Sequence, residues 1–181
     1  MSWAPKTKAN REGCMDHNVK KIGKDRPAAP LERRIIPAWT DYNGHLNVTW
    51  IAHLFDLGTD NLLDALQIGE AYAAGTGCST FALGAHVSYL SEARVGDDVE
   101  VHSTLAGVDA KRIKYRHELK ASVGGRVIAV LEQVSMHVDL KERRSKPWPA
   151  EVKATLMDSL DTTGPADLCD GLPLKPEMCH D

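Results

Sequence analysis

The sequence predicts an α+β domain in which an antiparallel sheet wraps around one long central helix. The first observation is that apolar residues recur at helical spacing between residues 47 and 67. The second is that four strand-like runs follow, near residues 81–89, 98–108, 111–122 and 126–140. A helix with one apolar stripe and a run of strands bury their apolar faces against each other when the sheet curls around the helix.

The elements follow in the order strand, helix and four strands, and the first strand is short, over residues 32–36. The helix begins behind Asn47, a favourable N-cap, and Gly69 gives its stop signal. Its apolar stripe consists of Ile51, Leu54, Phe55, Leu62 and Leu66. A second stripe is acidic, with Asp56, Asp60 and Asp64. Alternation then takes over, and one strand face carries Phe81, Leu83, Ala85, Val87 and Tyr89.

Charge separates the two ends of the chain from its middle. The chain has 181 residues and a formal net charge of −3. Residues 1–30 carry seven basic and three acidic side chains, whereas residues 157–181 carry one basic and six acidic side chains. We therefore expect a flexible N-terminal tail over residues 1–29, one domain over residues 30–156, and a flexible acidic C-terminal tail over residues 157–181.

Composition excludes several classes of protein. A slightly negative chain lacks the basic footprint of a nucleic-acid-binding domain. No apolar run approaches the roughly 20 residues that cross a bilayer, and the polar first residues show no secretory signal. The four widely spaced cysteines form no paired motif, which favours a reducing compartment. We expect a cytoplasmic protein without nucleic acid or membrane partners.

The last predicted strand is apolar on both faces. One face carries Ile128, Val130 and Val134, and the other carries Val127, Ala129 and Leu131. One helix covers only one face of a sheet, so a second copy of the chain is the natural cover for the other. The sequence therefore predicts a homodimer or a dimer of dimers.

The segment with the clearest chemistry runs from Trp39 to Asn47, directly before the helix. Its Asn43-Gly44 pair predicts a tight turn, which brings Asp41 toward the helix N-terminus. The first N–H groups of a helix lack internal partners and lie at the positive end of the macrodipole. Such donors hold a developing oxyanion while a nearby carboxylate attacks a carbonyl or deprotonates a water. The same pattern also fits a plain turn and helix cap.

A calcium loop does not fit this segment. Leu46 stands where such a loop needs glycine, and Ala52 stands where it needs a bidentate acid. We therefore expect neither a metal nor another cofactor.

The run Asp41-Tyr-Asn-Gly-His-Leu-Asn47, followed by a long helix and four strands, resembles the hotdog-fold acyl-CoA thioesterases of the 4-hydroxybenzoyl-CoA thioesterase type. The resemblance covers residues 30–155. Within the family, residues 39–45, 91–97 and 133–139 are most similar to the betainyl-CoA thioesterases of carnitine degradation. The resemblance implies a hotdog fold and hydrolysis of an acyl-CoA substrate to a free acid and coenzyme A.

Five site residues follow from this resemblance. The catalytic carboxylate falls on Asp41 and the oxyanion-binding N–H on Val48. Whether Asp41 is the nucleophile or a general base is left open. His45 is expected to fix the loop by hydrogen bonding, Asn47 to cap the helix and then touch substrate, and Asn43 to contact substrate.

Further residues are expected at the two halves of the substrate. The resemblance places Asp56 at the acyl pocket, where a carboxylate suits a cationic acyl group. Trp50, Phe55 and Tyr89 lie in segments that can flank that pocket, where aromatic faces would attract a quaternary ammonium group, and the same three residues also fit a purely structural role in the core. Independently of the resemblance, the coenzyme A phosphates need cations, and Arg112 is the expected contact among the basic side chains near the strand ends, which are Arg94, Lys111, Arg112, Lys114, Arg143 and Arg144.

Two other functions stay open, and several histidines have a simpler explanation. The chain could be a non-catalytic hotdog protein that binds acyl-CoA. It could also be a hotdog hydratase or dehydratase, for which His45 and His53 are the candidates. Structural roles are expected for His86, His117 and His137.

Overall fold

A computed structural model describes residues 28–161. The predicted domain over residues 30–156 lies within this range. Of the predicted tails, residues 1–27 and 162–181 lie outside the described residues. The last described helix ends at Asp158, two residues beyond the boundary that the sequence predicts at 156.

Six strands, three α-helices and one 3-10 turn make up the described chain. Within this part of the chain, no helix is both long and apolar enough to cross a bilayer. In chain order the elements are β1 (Leu31–Arg34), a 3-10 turn (Pro37–Trp39), α1 (Val48–Ala65), α2 (Glu70–Thr76), β2 (Cys78–Tyr89), β3 (Asp98–Val108), β4 (Arg112–Ala121), β5 (Val127–Asp139), β6 (Arg144–Ser145) and α3 (Ala150–Asp158).

The strands form one antiparallel sheet in the order β1-β3-β4-β5-β2, with β6 paired to β5. Helix α1 packs across one face of this sheet and contacts β1, β3 and β4. The predicted architecture, an antiparallel sheet around one long helix, is therefore confirmed. Strand β5 lies inside the sheet, and one chain already buries Ile128, Ala129, Val130 and Leu131. Its apolar faces consequently do not by themselves require a second copy.

Helix α1 begins as predicted and ends differently. The side chain of Asn47 caps it, because its Oδ1 accepts the N–H of Thr49 at 2.9 Å. The residue that turns the chain out of the helix is Gln67, which has a φ of 62°. Gly69 does not end α1 but is the N-cap of α2, which corrects the sequence prediction. A Cβ at position 69 would collide with Oδ1 of Asp64, so a side chain there would require the Asp64 carboxylate to move.

Gly58 allows α1 to approach β3 closely. A Cβ at this position would lie 2.7 Å from Cγ1 of Val101, a short branched side chain with little freedom to move away. We expect Gly58→Ala to destabilise the fold by about 1–3 kcal/mol, as overpacked cores do. Urea unfolding measures the change, and an unaltered midpoint would contradict the close packing. The matched control is Gly75→Ala in α2, where a Cβ meets nothing within 4 Å. That variant should be as stable as the wild type or gain up to about 1 kcal/mol.

Candidate active site

The segment between the 3-10 turn and α1 folds into a tight, hydrogen-bonded loop. The N–H of Asp41 donates to the carbonyl of His45 at 2.9 Å, and the N–H of Gly44 donates to the carbonyl of Asp41 at 3.0 Å. Gly44 has a φ of 76°, a conformation that glycine adopts without strain. The turn predicted at Asn43-Gly44 is therefore present, and Asp41 and His45 face each other across it.

The carboxylate of Asp41 is held by the backbone of its own loop. Its Oδ1 accepts the N–H of Asn43 at 2.8 Å and the N–H of His45 at 3.1 Å. These bonds, above all the one from His45, hold the pKa of the Asp41 carboxyl below its usual range against the opposing effect of desolvation. Asp41 is consequently ionised at neutral pH and fixed in direction.

The N-terminus of α1 lies beside this loop. Thr49 donates its N–H to the Asn47 side chain, and Trp50 and Ile51 donate theirs to the Asn47 carbonyl at 2.9 and 3.1 Å. Among the hydrogen bonds of the described chain, none uses the N–H of Val48. This N–H is therefore available to an external acceptor at the positive end of the helix dipole.

His45 joins the loop to the connection between β2 and β3. Its Nε2 lies 3.2 Å from Oε2 of Glu92, and the backbone of His45 forms an isolated bridge with Arg94. The N–H of Leu46 also donates to the carbonyl of Ala93 at 2.8 Å. The connection between β2 and β3 therefore packs against the loop. The contact between Glu92 and His45 was not predicted from the sequence.

Two tryptophans stack next to the loop. The rings of Trp39 and Trp50 have their centroids 5.2 Å apart at an interplanar angle of 22°, and His53 meets Trp50 edge-on at 5.5 Å. The carbonyl of Trp39 accepts the N–H of Asn47 at 2.9 Å. The predicted residue Trp50 thus lies close to the loop, and Trp39 joins it.

The acidic stripe of α1 borders a cavity at the other end of the helix. A cavity of about 430 Å³ is lined by carboxylates of Asp60, Asp64 and Glu70 and by the hydroxyl-bearing residues Ser79 and Thr80. Burial raises the pKa of the Asp60 carboxyl, and the neighbouring charges of Asp56, Asp64 and Glu70 raise it further. Asp56 itself is exposed and does not line this cavity. The sequence shows the stripe but not the cavity, which three separate elements form.

Two predicted substrate residues lie elsewhere than expected. Phe55 is 1% exposed in the core and stacks on His117 with centroids 6.0 Å apart, so it belongs to the packing of α1. Arg112 is 5% exposed, and its Nε donates to Oδ2 of Asp109. The guanidinium of Arg112 is thus buried and paired inside the fold. This corrects the prediction that Arg112 contacts a coenzyme A phosphate. Tyr89 is exposed at the end of β2.

A family model described as the Thioesterase-like superfamily matches residues 35–156. A betainyl-CoA thioesterase of Pseudomonas aeruginosa is 36% identical over 123 residues, which cover 68% of this chain and 77% of that protein. An L-carnitine dehydrogenase/betainyl-CoA thioesterase of Rhizobium meliloti is 32% identical over 152 residues, which cover 84% of this chain but 30% of that protein.

Among solved structures, a Staphylococcus aureus protein in complex with CoA superposes on this chain with a TM-score of 0.68. The superposition covers 78% of this chain and 90% of that chain, at 19% sequence identity. At this identity the likeness concerns the fold alone.

A curled antiparallel sheet that packs around one long helix defines a hotdog-fold protein. Because the family match spans more than half of the sequence, the chain belongs to the Thioesterase-like superfamily. The predicted enzyme class, an acyl-CoA thioesterase, is confirmed by this membership and by the thioesterase relatives.

Proposed function

We propose that this enzyme hydrolyses betainyl-CoA, or a closely similar acyl-CoA with a small cationic acyl group, and that Asp41 acts on the thioester. The observation that carries the catalytic part is the Asp41 carboxylate, ionised and held by two backbone N–H groups beside the start of α1. The choice of betainyl-CoA as the substrate rests on the two relatives named above, because both are described by that activity.

The proposed reaction uses the loop and the helix start together. The thioester carbonyl oxygen accepts the N–H of Val48, which stabilises the negative charge that develops on that oxygen. Asp41 then either attacks the carbonyl carbon, forming a mixed anhydride that water hydrolyses, or removes a proton from a water that attacks directly. In both routes the carbon–sulfur bond breaks, the coenzyme A thiolate takes up a proton, and a free acid is released.

The acidic cavity supports a cationic acyl group. Carboxylates of Asp60, Asp64 and Glu70 line it, and partial burial, followed by repulsion from the neighbouring acidic groups, raises the pKa of the Asp60 carboxyl. A quaternary ammonium would relieve that repulsion without donating a proton. Trp50, stacked on Trp39, offers an aromatic face close to the loop, and such faces attract quaternary ammonium groups.

A homodimer, or a dimer of dimers built from it, would bring the cavity and the loop together. Strand β2 pairs with β5 along one side, and no described strand pairs with its other side. Phe81 and Tyr89 on this edge strand are 50% and 55% exposed. Two copies of one strand related by a twofold axis run antiparallel. The start of β2, with Ser79 and Thr80 of the cavity, would then lie beside the end of β2 of the partner, near its site loop.

A neutral isostere tests the proposed substrate. Betainyl-CoA and 3,3-dimethylbutanoyl-CoA have the same acyl shape, but only the first carries a positive charge. We expect kcat/KM for betainyl-CoA to exceed that for the isostere by about tenfold or more, since cation–π and carboxylate contacts recognise the charge. Thiol release measured with both esters gives the ratio.

Two variants connect this ratio to the cavity. Asp60→Asn should bring the two kcat/KM values closer together, whereas Asp98→Asn, an exposed acid paired with Arg34, should leave the ratio unchanged. Equal hydrolysis of both esters by the wild type would exclude recognition of the charge. Absence of hydrolysis with every ester, together with tight binding of coenzyme A in calorimetry, would instead support a non-catalytic acyl-CoA-binding protein.

A further inference from the structure

We propose that Glu92 is a positioning residue for the Asp41 carboxylate and that it acts through the side chain of His45. The inference rests on the proposed function, because it concerns how the group that acts on the thioester is held. Glu92 lies in the connection between β2 and β3, far from the loop in sequence. Its Oε2 nevertheless lies 3.2 Å from Nε2 of His45.

The backbone of His45 is the link to the carboxylate. Its N–H donates to Oδ1 of Asp41 at 3.1 Å, and its carbonyl accepts the N–H of Asp41 at 2.9 Å. A displacement of His45 would therefore weaken one of the two N–H bonds to Oδ1 and shift the Asp41 backbone as well. The orientation of the carboxylate depends on where the histidine is held.

Glu92 is itself anchored to the sheet. Arg126 donates from Nη1 to the Glu92 carbonyl at 2.7 Å and also to the hydroxyl of Ser91. That hydroxyl donates to the carbonyl of Val127 at 2.7 Å, at the start of β5. The backbone that carries Glu92 is thus tied to a central strand. A continuous series of contacts runs from β5 through Glu92 and His45 to Asp41.

The charged groups around the histidine agree with this role. Glu92 and Arg94 face His45 from the connection between β2 and β3, and Asp41 faces it from its own loop. Arg94 also approaches Oε2 of Glu92, but at 3.8 Å it lies farther away than His45 does. The His45 side chain is 27% exposed and that of Glu92 is 66% exposed. A pair this open to water has a moderate effect.

Removal of the carboxylate should lower turnover without weakening substrate binding. We expect Glu92→Ala to reduce kcat about fivefold and to leave KM within about twofold, as a contact that only orients the catalytic group would. Glu92→Gln should keep a nearly normal kcat, because its amide oxygen can occupy the same place beside Nε2 of His45. Asp98→Ala is the matched control: it also loses an exposed ion pair, with Arg34 at 3.3 Å, but has no contact with the loop.

Amide hydrogen exchange gives a readout that does not require turnover. In Glu92→Ala the N–H groups of Asn43 and His45, which hold the Asp41 carboxylate, should exchange faster than in the wild type. Both should keep the wild-type rate in Glu92→Gln and in Asp98→Ala. An inactive wild type would defeat the proposed function, while exchange would still decide the role of Glu92. Unchanged exchange and unchanged kcat in Glu92→Ala would overturn this role, as would an equal loss in Glu92→Gln or Asp98→Ala.

Discussion

Asp41→Asn is expected to lower kcat for acyl-CoA hydrolysis by about 10³-fold while the fold stays intact. Asparagine is nearly the same size as aspartate, and its Oδ1 can still accept the N–H groups of Asn43 and His45 that shape the loop. What it lacks is the negative charge needed either to attack the thioester or to take a proton from water. Thiol release under saturating substrate measures kcat, and circular dichroism shows whether the fold is kept.

Asp97→Asn is the control for this variant. Asp97 also accepts a backbone N–H, that of Arg94 at 2.9 Å, in the connection that faces the loop. It shares the turn-forming role of Asp41 without the proposed chemistry, so kcat should stay within about twofold of the wild type. If Asp41→Asn lost as little as Asp97→Asn, Asp41 would be a turn residue and another group would act on the thioester.

The pH profile offers an independent check on Asp41. Because the pKa of the Asp41 carboxyl lies below its ordinary value of 3.8, Asp41 stays ionised between pH 7 and pH 5. Protonation of Asp41 should therefore not reduce kcat/KM anywhere between pH 7 and pH 5. A loss of activity at a pKa of about 6, in an enzyme that is still folded, would show that a different group limits the reaction.

Local pattern in the sequence predicts most of the helix and sheet. The Asn47 cap and the apolar stripe predict α1 to within two residues at its end, and strand β3 has the predicted bounds of residues 98 and 108. These elements carry a periodic signal over ten or more residues, which tertiary contacts reinforce. The loop at Asp41 was predictable for the same reason, because a turn signal and a helix cap are both local.

Features that join distant segments could not be read from local pattern. The α2 helix has seven residues and none of them is buried, so it gives no apolar stripe to detect. The acidic cavity needs α1, α2 and β2 in place before it exists. The same holds for the partner of a side chain: the Glu92 contact to His45 depends on how the chain folds back on itself.

Two adjacent residues on α1 differ sharply in burial. Phe55 and Asp56 are adjacent on α1, and both were expected at the acyl pocket. A helix turns about 100° per residue, so neighbours face different surroundings. Phe55 is buried against His117, whereas Asp56 is exposed. The apolar stripe predicts Phe55 in the core, and its burial confirms that prediction.

His117 makes the stability of the fold depend strongly on pH. It is fully buried between α1 and the sheet, where Nδ1 lies 2.7 Å from the hydroxyl of Ser103 and Nε2 lies 3.0 Å from the hydroxyl of Thr59. Burial lowers the pKa of its imidazole from 6.5 to about 4. The folded protein therefore holds His117 neutral in a pH range where the unfolded chain binds a proton.

The sign of the effect follows from proton binding. Between pH 6.5 and pH 4 the unfolded state carries more protons at this site than the folded state, so acidification favours unfolding. We expect the free energy of unfolding to fall by about 3 kcal/mol across this window, and to show no contribution from His117 above it. Urea unfolding at pH 7.5, 6, 5 and 4.5 measures the decline.

Two variants assign the decline to this side chain. His117→Gln removes the titrating group and should flatten the curve between pH 6.5 and pH 4.5, even though the variant is less stable at neutral pH. His102→Gln, on β3 beside Glu100, should keep the full decline because it leaves His117 unchanged. Carboxyl groups with lowered pKa, such as those of Glu118 and Asp139, begin to lose their stabilising charge only below about pH 5, so the decline between pH 6.5 and pH 5 is the part that reports His117. If His117→Gln kept the wild-type slope, the buried histidine would not be the source of the decline. Water would then have to reach the interface between α1 and the sheet.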